Sequence, residues 1–186
     1  MYTIIGLGNP GKEYAKTRHN VGWIVLDEMN GGLDWQMNKY AHAELALATI
    51  GDVSVVIVKP QTFMNDSGKV LSYLMKEYSI TNEDVIVVHD EIDLPLGTVR
   101  ISYDRGDGGH NGIKSIVGVL GSKQFVRIRI GVSILDSEGV VRKPDVLGGF
   151  SKDELETVEA DVSPRVAKIL TMIITEGREK AMNVFN

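Results

Sequence analysis

Polar segments stand directly beside apolar runs that have the length and composition of β-strands, and this pairing constrains the fold more than any other feature. The polar segments are Gly6-Leu7-Gly8-Asn9-Pro10-Gly11 with His19-Asn20, Lys59-Pro60-Gln61-Thr62-Phe63-Met64-Asn65, His89-Asp90-Glu91 and Gly108-Gly109-His110-Asn111-Gly112. Open α/β sheets place their ligands at the carboxyl ends of strands. Asn9 and Asp90 each follow an apolar run closely, so they are candidates for a functional site.

These segments supply imidazoles, a carboxylate that can orient one of them, and several neutral amides. A His–Asp pair activates water as a general base, and amide N–H groups stabilise the oxyanion that forms when water attacks an acyl carbon. The chain has no cysteine, and its sequence shows no cluster with metal-ligand spacing. The inventory therefore predicts hydrolysis of an acyl bond by water, without a metal and without a cofactor.

The length of 186 residues suits one good core, and we expect residues 1–186 to form a single domain. A hydrophobic content of 43% and a charged content of 24% are ordinary globular values, which argues against wholesale disorder. No apolar run approaches the roughly 18–20 residues of a membrane span, and no signal peptide is recognisable. The lack of cysteine fits the reducing cytoplasm. Because no apolar run is long enough to span a membrane, we expect no membrane partner.

The charge distribution leaves room for a nucleic-acid partner, although the net charge is −5. Residues 95–150 carry eight basic and five acidic side chains, whereas residues 1–94 carry seven basic and 13 acidic ones. A basic block of this kind can bind phosphates. The same count is equally typical of a solvated surface of mixed charge, and both interpretations stay open. The basic residues of the block are Arg100, Arg105, Lys114, Lys123, Arg127, Arg129, Arg142 and Lys143.

The spacing of apolar residues predicts alternating strands and helices. Strands are predicted at 2–7, 44–50, 53–58, 85–88, 98–103 and 126–132, with a tight turn at Gly51-Asp52. Helices are predicted at 19–30, at 67–78 with Asn65, Asp66 or Ser67 as N-cap, around 113–120, and from a capping box at Ser151, with a restart at Ser163-Pro164. This order predicts an α/β fold in which helices flank a twisted, mixed, mostly parallel central sheet. We expect residues 133–145 to be the most mobile loop.

Two glycine-rich segments admit other functions. The sequence from Gly6 to Gly11 matches the G-x-G-x-x-G fingerprint of dinucleotide sites, but Pro10 indicates a turn where the helix of that motif should begin. Glycines that permit a tight turn explain the same residues. Gly108 and Gly109 precede a helix, and free N–H groups at such a position form a nest for an anion.

Longer motifs around these segments resemble those of bacterial-type peptidyl-tRNA hydrolases. The matching stretches are Ile5-Gly6-Leu7-Gly8-Asn9-Pro10-Gly11-Lys12-Glu13-Tyr14, Arg18-His19-Asn20-Val21-Gly22, residues 59–65 with Ser67-Gly68, residues 89–95 with Gly97, residues 108–115, residues 127–131, and Val146-Leu147-Gly148 with Phe150-Ser151. They follow one another in the family's order over nearly the whole chain, so the resemblance is specific.

The resemblance implies a monomeric esterase that acts on peptidyl-tRNA released from the ribosome. Such an enzyme cuts the ester between the peptide and the 3′-terminal ribose without a metal. His19 would be the general base, and Asp90 would hold its imidazole in the reactive tautomer. The other implied roles are substrate positioning and oxyanion stabilisation for Asn65 and Asn111, lining of the tRNA 3′ end for Tyr14 and Phe63, recognition of the acylated amine for Asn9, and a supporting contact for His110.

Two positions depart from the pattern of the resembled family. Ser102 stands where a basic residue is usual, and Val132-Ser133-Ile134 follows Gly131 where a basic residue and a proline are usual. Both departures concern the binding of the tRNA body. Two other functions stay open at this stage. One is a non-catalytic RNA-binding module on the same fold; the other is a general amidase or peptidase, for which the sequence offers no activated serine or cysteine.

Overall fold

One sheet of eight strands forms the centre of the protein in the computed structural model, which describes residues 1–29 and 34–186. The strands are β1 (Tyr2–Gly6), β2 (Gln36–Asn38), β3 (Ala43–Ile50), β4 (Val53–Pro60), β5 (Val85–Pro95), β6 (Val99–Tyr103), β7 (Val126–Leu135) and β8 (Val141–Arg142). Their order across the sheet is β2-β3-β4-β1-β5-β7-β6, and β8 pairs with β7.

The four central strands are parallel and therefore place their carboxyl ends at one edge of the sheet. β1 pairs in parallel with both β4 and β5, and β5 pairs in parallel with β7. The predicted hairpin is formed by β3 and β4, and the outer pairs are antiparallel as well. This topology confirms the predicted α/β class with a mixed sheet whose centre is parallel.

Helices cover both faces of the sheet because its central strands are apolar on both sides. The helices are α1 (Val21–Glu28), α2 (Lys69–Tyr78), α3 (Asn111–Leu120), α4 (Lys152–Thr157), α5 (Ser163–Glu176) and α6 (Arg178–Phe185). In β1, Ile4 packs into the core that contains residues of α1 and α5, whereas Ile5 packs into the core that contains residues of α2 and α3. Neighbouring strand residues face opposite sides, so one strand serves both cores.

Close contact between α1 and the sheet requires glycine at position 22. A Cβ there would lie 2.4 Å from the carbonyl oxygen of Val88 and 2.7 Å from the amide nitrogen of Leu7. Glycine lets the start of α1 approach the chain just beyond β1 and the middle of β5. Because His19 lies three residues before Gly22, this contact holds the histidine at the edge where the parallel strands end.

Two strand and helix boundaries differ from the sequence-based expectation. β5 does not end at Val88 but continues through its polar residues to Pro95, because these residues pair with β7. α2 begins at Lys69 without a side-chain cap, and the residues expected to cap it belong in part to a 3-10 turn, Met64–Asp66.

The C-terminal helices also differ from expectation. The capping box at Ser151 is confirmed, since its side chain accepts from the N–H of Glu154 and the Glu154 carboxylate accepts from the N–H of Ser151. The predicted restart at Ser163 is wrong, because α4 continues into α5 through a π-helical turn, Val158–Val162. The Ser163 hydroxyl donates to the carbonyl of Val158 inside this continuous helix.

The remaining segments are short. The predicted helix 19–30 is a 3-10 turn, Arg18–Asn20, followed by α1, and residue 30 lies outside the described residues. Residues at both ends of the predicted loop 133–145 belong to β7 and β8, while its mobility stays a prediction. In the described part of the chain no helix is long and apolar enough to cross a membrane.

Candidate active site

His19 lies on the 3-10 turn that precedes α1, and a distant segment fixes the backbone of this turn. The N–H of His19 donates to the carbonyl of Val146 at 2.9 Å, and the N–H of Arg18 donates to the carbonyl of Gly148 at 3.1 Å. His19 is 9% exposed, so its ring is enclosed but still reaches a cavity. The position of the turn thus depends on residues more than 120 positions away in the sequence.

The buried side chain of Arg18 fixes the same turn from the protein interior. Its guanidinium donates to both carboxylate oxygens of Glu154 at 2.8 and 2.9 Å and to the carbonyl of Val132 at 3.2 Å. It also lies 4.9 Å from the centre of the Phe150 ring. Nη2 makes both contacts to Glu154, and Nη1 makes the contact to Val132. Hydrogen bonds from a charged donor to a carboxylate are short and strong. Arg18 therefore holds the turn that carries His19 against both α4 and β7.

His19 and Asp90 form the central pair of the site. Nδ1 of His19 lies 2.8 Å from Oδ1 of Asp90, and Asp90 is only 2% exposed. Burial alone would raise the pKa of Asp90, but the nearby His110 and His19 rings outweigh it and hold the pKa below its ordinary value. Asp90 is therefore an anion, Nδ1 of His19 carries the proton, and Nε2 of His19 keeps its lone pair for a water molecule.

His110 contacts the same carboxylate from the other side. Its Nε2 lies 2.8 Å from Oδ1 of Asp90, and its Nδ1 accepts from the N–H groups of Gly112 and Ile113 at 3.1 and 3.3 Å. His110 is thus the N-cap of α3. The N–H of Gly109 is also used, since it donates to Asp107. The predicted anion nest at this helix start is wrong, because protein side chains already bind most of its N–H groups.

His89 is buried beside this cluster as a neutral ring. Burial, and after it the neighbouring His110, lowers the pKa of His89 to about 3. Its Nδ1 donates to the backbone carbonyl of Asp90 at 2.7 Å, and its ring meets the His110 ring at 4.9 Å in an edge-on arrangement. His89 therefore packs against His110 without competing for the proton of His19.

A groove of about 390 Å³ opens from His19 on one side. Its lining residues are Asn9, Tyr14, His19, Phe63, Met64, Asn65, Asn111, Val146 and Leu147. Tyr14 and Phe63 meet edge to face with ring centres 6.3 Å apart, and Phe63 is 57% exposed. A second cavity of about 320 Å³ adjoins His19 and contains Asp90 and His110 in its wall. Asn111 lines both cavities.

The hydrogen bonds around Asn9 fix the orientation of its side-chain amide. Its Oδ1 accepts from the N–H of Met64 at 2.8 Å. Since a backbone N–H can only donate, the amide NH₂ group points away from Met64. The side chain of Asn20 binds both polar groups of the Asn9 backbone. Its Oδ1 accepts from the N–H of Asn9, and its Nδ2 donates to the carbonyl of Asn9. Asn20 thereby ties the end of β1 to the turn that carries His19.

His19, Asp90 and His110 are close enough to be considered as metal ligands, because their ligand atoms lie within 4.8 Å of one another. Their hydrogen bonds direct the lone pairs apart. The Nδ1 lone pair of His110 faces α3, and the proton on Nδ1 of His19 faces Asp90. Nitrogen lone pairs that do not converge are poor metal ligands. The arrangement instead suits proton transfer.

The structure divides the basic block at 95–150 into two groups. Arg129 pairs with Glu91, Arg142 pairs with Asp136, and Lys143 pairs with Asp93. The guanidinium of Arg127 is buried against backbone carbonyls. Apart from Arg127, the members of the block that form no ion pair among the described residues are Arg100, Arg105, Lys114 and Lys123. Ser102, where the resembled family has a cation, is buried on β6 opposite Arg127.

The structure brings the residues predicted for the site together around the two cavities. They are Asn9, Tyr14, His19, Phe63, Asn65, Asp90, His110 and Asn111. The sequence reasoning gave no role to Arg18 and Asn20, although both stand beside His19. The signal that could have found them is their position, because one polar residue stands on each side of the histidine, directly before an apolar helix. Such residues need buried partners.

Comparison with known proteins agrees with this geometry. The family model described as peptidyl-tRNA hydrolase matches residues 3–186. A peptidyl-tRNA hydrolase of Bdellovibrio bacteriovorus is 42% identical, and one of Dehalococcoides mccartyi is 40% identical; both alignments cover 100% of this chain and of the relative. The crystal structure of peptidyl-tRNA hydrolase from Acinetobacter baumannii, 32% identical, superimposes with a TM-score of 0.86 over 100% of this chain and 94% of that one. By sequence over its full length and by fold, this chain belongs to the peptidyl-tRNA hydrolase family.

Proposed function

We propose that this chain hydrolyses the ester between the peptide and the 3′-terminal ribose in peptidyl-tRNA that has left the ribosome. The observation that carries the proposal is the His19–Asp90 pair, 2.8 Å apart, beside a groove lined by the amides of Asn9, Asn65 and Asn111. Membership in the family supports this substrate. A non-catalytic RNA-binding module would leave the buried His–Asp pair and its alignment without a use.

In the proposed mechanism, Nε2 of His19 takes a proton from water while the water oxygen attacks the ester carbonyl carbon. Asp90 keeps Nδ1 protonated and stabilises the imidazolium that forms. When the tetrahedral intermediate collapses, the bond to the ribose oxygen breaks and His19 returns the proton to the 3′-oxygen. The products are a peptide with a free carboxyl group and a tRNA with a free 3′-hydroxyl.

Two side-chain amides are placed to stabilise the intermediate and to position the substrate. Asn111 lines both cavities that adjoin His19, and Asn65 lines the groove. Their NH₂ groups are donors for the negative oxygen of the tetrahedral intermediate. Tyr14 and the exposed Phe63 offer aromatic faces for an unstacked base at the tRNA 3′ end.

Asn9 is placed to recognise the acylated amine by donating a hydrogen bond to the acyl group, instead of accepting one from the N–H of the substrate nitrogen. Its Oδ1 is engaged by Met64, and its NH₂ group has no hydrogen bond to any described residue. This donor suits the carbonyl oxygen of the acyl group on the substrate nitrogen. An unblocked aminoacyl-tRNA lacks that carbonyl and carries an ammonium, which a donor repels. When an unblocked substrate binds, the NH₂ group of Asn9 is left without a hydrogen-bond partner, which costs about 1–3 kcal/mol of binding free energy. Ordinary aminoacyl-tRNA is therefore spared.

Asn9→Asp tests this selectivity, because aspartate keeps the oxygen that accepts from Met64 and replaces only the NH₂ group. We expect kcat/KM on N-acetyl-aminoacyl-tRNA to fall and the ratio of unblocked to blocked activity to rise by about tenfold or more. Asn65→Asp adds the same charge to the groove without the Met64 contact and serves as control. An unchanged ratio in Asn9→Asp would remove Asn9 from this role.

The unpaired cations give a test of the tRNA contact. Lys114 and Arg105 are exposed, and neither forms an ion pair within the described residues. Replacing either one with alanine should raise KM, leave kcat nearly unchanged, and reduce the slope of log KM against log salt by roughly one. Arg142→Ala, which removes a cation already paired with Asp136, is the matched control. Equal effects of all three variants would place the tRNA elsewhere.

The remaining features of the proposed enzyme follow from this substrate. The candidate groups lie around two cavities that share His19 and Asn111, which supports residues 1–186 as one catalytic domain, and we expect this domain to act as a monomer. The directions of the lone pairs on His19 and His110 support a reaction without metal or cofactor. Peptidyl-tRNA arises in translation, so we place the protein in the cytoplasm.

A further inference from the structure

His110 is the physical link between the catalytic carboxylate and helix α3. Two backbone N–H groups of the first turn of α3 point at its Nδ1, and these groups can only donate. Nδ1 therefore carries the lone pair, and Nε2 carries the proton that is donated to Asp90. Protonation of Nδ1 would break both cap hydrogen bonds. The helix thus fixes the tautomer of this ring.

We propose that His110 is a positioning residue that fixes Asp90 to the first turn of α3 and so sets the place of Asn111 relative to His19. The proposal rests on the proposed function, which gives His19 and Asn111 their roles. Both ring nitrogens of His110 are bound by protein groups. The ring accordingly neither transfers a proton in the reaction nor offers a nitrogen to the substrate.

The shared oxygen of Asp90 adds a second consequence. Oδ1 accepts from His19 and from His110, each at 2.8 Å, so the charge that stabilises a protonated His19 is divided between two donors. Without His110, this oxygen would keep only the contact to His19, and the orientation of the Asp90 carboxylate would be less well fixed.

The other charged or titratable groups around the pair are already engaged or neutral. They are His89, Glu91 with its partner Arg129, Asp107, which accepts from Gly109, and Asp145, which accepts from Leu147. Of these groups, His89 packs against the His110 ring. Both His110 variants remove that ring contact, whereas only one of them removes the cap, so comparison of the two variants isolates the effect of the cap.

The experiment separates the two contacts of His110. In His110→Asn the side-chain oxygen lies where Nδ1 was and can cap α3, since asparagine is among the best N-cap residues, but its NH₂ group is too short to reach Asp90. His110→Ala removes both contacts. The measurements are the melting temperature and the values of kcat and KM on N-acetyl-aminoacyl-tRNA. The ¹⁵N shifts of His110 in the unaltered protein report its tautomer without any turnover.

We expect His110→Asn to melt near the unaltered protein and His110→Ala to melt at a lower temperature. In both, kcat should fall by roughly tenfold to a hundredfold with KM unchanged. A raised KM with kcat unmoved would overturn the proposal, as would a protonated Nδ1 at pH 7. If the unaltered protein fails to cleave the substrate, the proposed function fails, and the ¹⁵N shifts still decide the hydrogen bonds of His110.

Discussion

Replacing His19 with alanine lowers kcat on peptidyl-tRNA by roughly 10²–10⁴-fold, the range expected when a general base is removed. The imidazole is held by Asp90 at 2.8 Å, and the backbone N–H of His19 donates to the carbonyl of Val146, so both the ring and its backbone are fixed in place. Binding of uncharged tRNA should survive, because the exposed cations that we assign to phosphates lie on other segments. The measurements are single-turnover kinetics and tRNA binding with the same protein.

The matched control is His42→Ala, since His42 is exposed beside the β3–β4 hairpin and lines neither cavity. Asp90→Asn should cost less than His19→Ala, because the imidazole remains while its tautomer and orientation are less well defined. Near-normal turnover by His19→Ala would refute the mechanism. A loss of tRNA binding equal to the loss of turnover would show that His19 binds substrate instead.

Replacing Asn111 with alanine lowers kcat by about 10²–10³-fold, the usual cost of removing one oxyanion donor. Asn111 lines both cavities beside His19, so we expect its amide to reach the place where the carbonyl oxygen gains charge. It is the first residue of α3, and alanine is a good helix former. The fold should therefore be preserved, and KM should change little because the interaction strengthens only in the transition state.

Asn65→Ala is the comparison that separates the two candidate donors. Asn65 lines the groove but not the second cavity, so we expect its loss to raise KM more than it lowers kcat. If Asn65→Ala gives the large drop in kcat while Asn111→Ala changes only KM, the two roles are exchanged. Melting temperatures of both variants check that neither change acts through the fold.

The convergence of the site was predictable because parallel strands end at one edge. Asn9 follows β1, Asn65 follows β4, and Asp90 lies in β5. Their common edge follows from the order of strands and helices alone. The partner of each side chain was not predictable in the same way. That Asn9 Oδ1 accepts from Met64 depends on the path of the chain after β4, which no periodicity reveals.

The misjudged boundaries have a common cause. The strand was predicted to end at Val88, before polar residues, but pairing with β7 extends β5 to Pro95. Ser163 before a proline has the local pattern of a helix start, yet packing keeps α4 and α5 in one continuous helix. In both cases tertiary contacts override the local preference. The prediction of an anion nest was wrong for a similar reason, because the sequence does not show that the side chain of His110 folds back to cap α3.

The partners that hold the catalytic turn are synthesised long after it. Arg18 binds Glu154 across 136 residues and Val132 across 114. Contacts between such distant positions form late and slow the folding of a chain. As the polypeptide emerges from its N-terminus, His19 leaves the ribosome early but gains its geometry only after Glu154 has followed. A nascent copy of this protein is itself a peptidyl-tRNA, and we expect its own His19 to stay out of position for hydrolysis until synthesis has passed Glu154.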